Sequence, residues 1–449
     1  MAVRKKKNNS VFRLVNNWLH LWMGLISGSI VFVICLMGCL WVFNHEIIDL
    51  LIPKKERQYI SASGQSLVSP SRIIGIADSL DPNAVVGEIT YTRDHPISFT
   101  IQQKEDKGKG RNPKVKPQVH LLHPYTGKYL GLQVKDNSEE AQLREKLNSF
   151  FAWTLNGHRF LWLPRDIGRP IVNYATLIFS ITLITGLVWW YPKKWTKSTR
   201  EKSFRIKWKA GWKRVNLDLH NVVGFYSFLL VLLLAVTGMY YGIEWFNRAL
   251  YWSTNWGTPL AERTSVHSDS TKIDQLAHFP KAFDREIHRI LTQYKDPHYL
   301  TITYPDAEKK DATISVYIRN DMDRQYNNRY YSFDRYTGAF LPNNITLFNK
   351  DFYELRAGEQ FRRLNYDIHV GSIWGFPTKV LAFVLTLIAG SLPITGFIIW
   401  YNRKWGKKKG RNTLLKGTAT PEDKRDSDTV APTTIRKPPV RFRPKPTDL

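Results

Sequence analysis

The chain has 449 residues and 65 Lys and Arg against 38 Asp and Glu, a net charge of +27. Residues 1–17, 192–215 and 402–449 hold a net +23 of that charge, and each flanks an apolar stretch, which argues for a membrane and against nucleic acid as the partner of the basic residues. Only two cysteines exist, Cys35 and Cys39, both inside one apolar stretch, so no disulfide framework holds the polar segments.

Residues 1–17 form a basic lead-in with five Lys and Arg and no acid. The stretch 18–44, WLHLWMGLISGSIVFVICLMGCLWVFN, carries no charged residue and exceeds the ~20 residues that cross a bilayer. It is too long for a signal h-region and lacks a small-x-small cleavage site, so it reads as an uncleaved anchor. Cys35 and Cys39, four residues apart, share one helical face and suit packing against a neighbouring helix.

The polar segment 45–170 opens with a helix end and an exit strand (45–62). Within about 63–135 the pattern predicts one small α+β module. A helix starts at Pro70, and Ala84–Tyr91 and Ile97–Gln103 alternate as strands. The Lys- and Gly-rich run 104–117 reads as a solvated tip, and Pro124–Gly127 as a hairpin turn next to which His120 and His123 are expected at the surface. A second span is expected at 171–191, a basic loop at 192–215 and a third span at 216–244. The segment 245–377 repeats the earlier plan within about 270–345, with Tyr336-Thr337-Gly338 standing for Tyr125-Thr126-Gly127. A fourth span at 378–401 leads into the tail 402–449, whose Pro-, Thr- and Lys-rich composition predicts disorder. Basic flanks stay in the cytoplasm, so both termini are expected inside and the segments 45–170 and 245–377 outside.

The spans repeat. A shift of 200 residues carries Leu19-His20 onto Leu219-His220, Gly24 onto Gly224 and Gly38 onto Gly238. A shift of 210 carries Ile184-Thr185-Gly186 onto Ile394-Thr395-Gly396, and both runs continue into a Trp-Tyr and a basic cluster. The expected fold is therefore an α-helical membrane protein with four transmembrane helices, a duplicated two-span unit, plus two small extracytoplasmic α+β modules. Duplication of this kind often places a site between the copies.

Four histidines occupy matched positions. His20 and His220 head the first and third spans on the inner side, and His158 and His369 precede the second and fourth on the outer side. A single interfacial histidine is most simply a donor to a loop carbonyl. Four in symmetric pairs point to function, because ionisable groups at membrane depth are expensive, neutral imidazole ligates iron, and helix bundles build cofactor sites from facing side chains. Gly24 and Gly224, four residues after their histidines, leave room either for a flat macrocycle or for close helix packing. His45, at the outer end of the first span, is the reserve ligand. His267, His278, His288 and His298 lack the tight spacing of a zinc site.

Taken together, Leu19-His20…Gly24, Asp218-Leu219-His220…Gly224, Thr237-Gly238, Thr185-Gly186-Leu187, His369-Val370-Gly371 and the two Tyr-Thr-Gly hairpins resemble the PepSY-associated transmembrane helix family over roughly 13–406. One departure is Met37-Gly38, where the third span has Thr237-Gly238. The resemblance implies two PepSY-like modules and an inner-membrane protein of bacterial iron uptake. It also implies two haem b groups, with His20, His220, His158 and His369 as axial ligands, and reduction of a ferric siderophore or other ferric chelate on the outer side. The chain has no dinucleotide fingerprint, P-loop or cysteine cluster, so electrons would come from a quinol or a cytoplasmic reductase. Two other functions stay open: a regulatory or peptide-binding membrane protein without redox chemistry, and an accessory subunit of a transporter.

Overall fold

The computed structural model describes residues 10–52, 66–82, 84–103, 118–134, 136–262, 265–294, 297–306, 308–342, 348 and 350–406. The 104–117 tip, most of the exit strand and nearly all of the tail fall outside them. The chain divides into two units, residues 1–402, which hold everything below, and 403–449, whose described part is the end of the last helix.

Four helical stretches are long and apolar enough to cross a membrane: Val11–Leu51, Arg165–Trp190, Trp212–Met239 and Phe376–Trp405. The first comprises α1 (Val11–Trp41) and α2 (Asn44–Leu51). After it come α3 (Pro70–Leu80), β1 (Ala84–Thr92), β2 (Ile97–Gln103), β3 (Gln118–Leu122), β4 (Tyr129–Leu132) and α4 (Glu139–Phe160). The second span is α5 (Arg165–Trp190), and α6 (Lys197–Phe204) lies in the basic segment after it. The third is α7 (Trp212–Asp218), a π-helical turn (Leu219–Val223) and α8 (Gly224–Met239). Then follow α9 (Glu244–Thr254), α10 (Phe279–Gln293), β5 (Tyr299–Thr303), β6 (Ile314–Arg319), β7 (Arg329–Phe333), α11 (Ala357–Val370) and the fourth span, α12 (Phe376–Trp405).

The spans meet around one apolar centre formed by Val31 of α1, Phe179 and Leu183 of α5, Val231 of α8, and Leu385, Ala389 and Leu392 of α12. Small residues let the helices close. A Cβ on Gly28 would lie 2.8 Å from Cβ of Pro393, and one on Gly390 3.1 Å from Cβ of Cys35. Cys39 Sγ donates to the Phe383 carbonyl at 3.8 Å, so the cysteine face packs on α12.

The polar segments do not form two free-standing modules. They build one antiparallel sheet of seven strands in the order β4-β3-β2-β1-β5-β6-β7. Strands β1 and β5 join its halves with Thr90 opposite Thr301, and their hydroxyls are 3.0 Å apart. Alternation buries one face only. Ile89, Phe99, Leu122, Leu300, Ile302, Val316 and Phe333 point to the side covered by Ile73 and Ala77 of α3 and by Phe283, Ile287 and Ile290 of α10. Each fully buried side chain of this size stabilises by roughly 1.5–3 kcal/mol, so a half-sheet alone would expose much of the core that both halves share. His120 belongs to that buried set rather than to the surface. It is 7% exposed, stacks 5.1 Å from Phe99 and bonds Tyr129.

Both Tyr-Thr-Gly turns form as expected, with Gly127 and Gly338 at φ +73° and +69°, where a side chain is strained. Asp334 accepts from the amides of Tyr336, Thr337 and Asp269. Burial raises its carboxyl pKa, but these bonds outweigh burial and hold it below the usual carboxylate value. In the first turn His123 Nδ1 takes the same place, accepting from Tyr125 and Thr126.

Candidate functional site

The four matched histidines come together in two pairs. The His20 and His220 rings are 6.4 Å apart at 74°, and the His158 and His369 rings are 6.1 Å apart at 48°. The first pair lies at the end of the bundle next to the basic segment, the second at the end next to the sheet.

His20 is on α1 itself, and His220 stands in the π-helical turn at the head of α8. Such turns often mark functional positions in helices. Next to His220, buried Asp218 receives Arg214 Nε at 3.0 Å and the Lys207 amide at 3.2 Å, which ties the basic segment to the helix. The other pair is carried by two helices that hydropathy does not reveal, α4 and α11. A left-handed corner at Leu161 and Trp162 turns α4 into α5, and the Trp162 indole stacks on Trp153 at 4.9 Å. The corner after α11 is capped by Gly371 at φ +76°, as helix ends commonly are. Asp367, two residues before His369 and fully buried, accepts from the Gln325 and Tyr326 amides and the Ser372 hydroxyl. Burial pushes its carboxyl pKa up against those bonds. These contacts lock α11 to the loop between β6 and β7.

All four rings are held alike. Each lies over a glycine of a neighbouring helix: His20 on Gly186, His220 on Gly396, His158 on Gly38 and His369 on Gly238. A Cβ at those glycines would come within 2.9, 3.3, 3.0 and 3.0 Å of the respective ring. With the side chain missing, three of the four rings reach the backbone. His20, His158 and His369 place Nδ1 at 3.1, 2.7 and 3.1 Å from the carbonyls of Thr182, Ile34 and Leu234, each four residues before the seat glycine. A carbonyl only accepts, so Nδ1 carries the proton. His220 Nδ1 is 2.9 Å from the Thr395 hydroxyl, which spends its own proton on Ser391 and Leu392, so here too Nδ1 donates. In all four, Nε2 is then the basic nitrogen.

A Cβ at Gly24 would touch Thr182 Cγ2 at 3.4 Å, and one at Gly224 would touch Leu392 Cδ2 at 3.4 Å, both ordinary helix packing. His45 opens into the ion pairs around α2 rather than meeting another histidine. Beside it Glu46 accepts from Lys379 Nζ at 2.6 Å, and the same ammonium reaches Asp323 at 3.1 Å.

Three of the four seat glycines belong to Thr-Gly pairs and Gly38 follows Met37; their regular spacing was visible in the sequence but carried no role there. One turn before three of the histidines, Asn16, Asn216 and Asn365 donate across to Thr185, Thr395 and Thr237. The signal for these was Asn-x-x-x-His, written three times.

A metal held by two imidazoles at about 2.0–2.1 Å each sets the ring centres roughly 6 Å apart, so both pairs have the spacing to share one ion. Among the described residues no group of three or more His, Cys, Asp or Glu could hold a metal. Each station thus offers two nitrogen donors, with a proton-donating Nδ1 behind each Nε2. From His20 to Gly38, and likewise from His220 to Gly238, is 18 residues, about 27 Å of helix rise between the two stations.

No curated protein matches the chain. A family match covers residues 17–403, which takes in all four spans, the sheet and both histidine stations, and the chain belongs to the family of the PepSY-associated TM region.

Proposed function

We propose that this chain is a di-haem membrane electron carrier that reduces ferric siderophores or similar ferric chelates at the sheet end of the bundle. The observation that carries the reading is the pair of histidine stations, 6.4 and 6.1 Å between ring centres, every Nδ1 engaged as a donor. His20 with His220, and His158 with His369, would be the axial ligands of two haem b groups. When bound, these supply one-electron chemistry at each end of the bundle. The residues set its conditions: the seat glycines bring three of the rings onto a carbonyl and His220 onto the Thr395 hydroxyl, and the accepting oxygen raises the basicity of Nε2.

The concentration of positive charge in 1–17, 192–215 and 402–449 supports a cytoplasmic location for both termini and the His20–His220 station in a bacterial inner membrane. The sheet would then face outward. The mirrored strand order about β1 and β5 supports a duplicated unit with a PepSY-like module in each half. A quinol or a cytoplasmic reductase would deliver electrons at the inner station. The ferric centre gains one electron, and ferrous iron is then held more weakly by the hard oxygen donors of its chelator.

The test uses the purified full-length chain in lipid nanodiscs, reduced with dithionite and freed of excess reductant. Adding a ferric trihydroxamate with a ferrous-specific chromophore should reoxidise the haem bands and produce the ferrous complex in step. Bands that stay reduced, with no ferrous complex formed, would contradict the reading.

A further inference from the structure

Three buried asparagines have no part in ligating anything, yet they recur at one position. Asn16, Asn216 and Asn365 stand four residues before His20, His220 and His369 and are 7%, 1% and 0% exposed. Each sends Nδ2 to the carbonyl of the threonine immediately before the seat glycine, at 3.0, 3.1 and 3.1 Å. Helix geometry does not require these bonds, because an interior helix carbonyl already accepts the amide four residues on. Burying an amide in an apolar bundle is costly, and Oδ1 of Asn216 and of Asn365 is buried with no hydrogen-bond partner.

A register clamp accounts for all of this. Residues i and i+4 share a helical face, so asparagine and histidine grip the neighbouring helix at two points one turn apart. The asparagine holds the threonine carbonyl, while His20 and His369 hold the carbonyl four residues before the glycine and His220 holds the Thr395 hydroxyl. With both grips closed the helix pair can neither slide nor rotate, and a one-residue slip would set the His20 ring against Thr185 or Leu187 instead of Gly186.

We infer that Asn16, Asn216 and Asn365 are positioning residues that fix the tautomer and orientation of their histidines, an inference that rests on the haem reading for its spectroscopic readout. The fourth histidine, His158, supplies an internal control. There Thr154 takes the asparagine's place and turns its hydroxyl back to Phe151 in its own helix, while Met37 replaces the threonine.

The test compares Asn365→Ala, Asn216→Ala and Thr154→Ala in the full-length chain, by haem content and by low-temperature EPR, with each station's signal assigned from its histidine variants. Asn365→Ala should shift or broaden the low-spin signal of the sheet-end station and leave the other unchanged. Asn216→Ala should do the reverse, and Thr154→Ala should move neither. A role in packing alone would lower thermal stability and leave both signals as in the wild type, and that result overturns the inference. If the wild type carries no haem, the haem reading fails, and ¹⁵N NMR of labelled histidines decides the inference instead. Nδ1-protonated rings in the wild type that become mixed tautomers in the asparagine variants support it, and unchanged tautomers overturn it.

Discussion

His220→Ala is expected to remove about half of the haem and all electron transfer from an inner donor to an outer chelate, because it empties one of two stations in series. His369→Ala should also lose about half of the haem but leave the inner station reducible from the cytoplasmic side. Each change should alter only its own station's spectrum, since the stations are 18 residues apart along α1 and along α8. Haem counts and reduced-minus-oxidised spectra of the two variants read this directly. Full haem and a wild-type spectrum in both His20→Ala and His220→Ala would show that this pair is not a ligand pair.

The second large effect comes from residues that touch no iron. Gly186→Leu and Gly238→Leu should each cost the station whose ring sits on them, as completely as loss of the histidine does. Their Cβ atoms would stand 2.9 and 3.0 Å from Cε1 of His20 and of His369, and the ring must leave its carbonyl to make room. Overpacking of this kind costs about 1–3 kcal/mol before the lost ligation is added. Leucine favours helix over glycine by several tenths of a kcal/mol, so weakened helices cannot explain the loss. Gly24→Ala is the matched control, meeting Thr182 at an ordinary 3.4 Å, and should keep both haems. Haem per chain measured across the three variants checks the set. Loss in Gly24→Ala with retention in Gly186→Leu would transfer the ring seat to the other glycine.

The spans were legible because a bilayer asks for one simple thing, an uncharged apolar run, and the histidines because the repeat wrote them twice. The sheet was not legible as one body. The pairing that unites it sets Thr90 against Thr301, and a contact so distant in sequence leaves no local pattern. Helices α4 and α11 escaped for a related reason: their sequences, EEAQLREKLNSFFAWTLNGHRF and AGEQFRRLNYDIHV, are too polar to register as membrane elements, though they deliver His158 and His369 to the bundle. The seat glycines were seen only as repeat markers, because what lies over a glycine is decided by another helix. Asn16 and Asn216 passed unnoticed since one asparagine at a helix head reads as ordinary capping chemistry. His120 looked exposed from its place beside a turn, but the strand's alternation turns it inward over Phe99.

The most direct measurement is haem stoichiometry with EPR on the wild-type chain, purified from membranes of cells supplied with iron. The account predicts two b-type haems per chain, both low-spin with two nitrogen axial ligands. A colourless protein, or a haem content that survives removal of all four of His20, His220, His158 and His369, would contradict it.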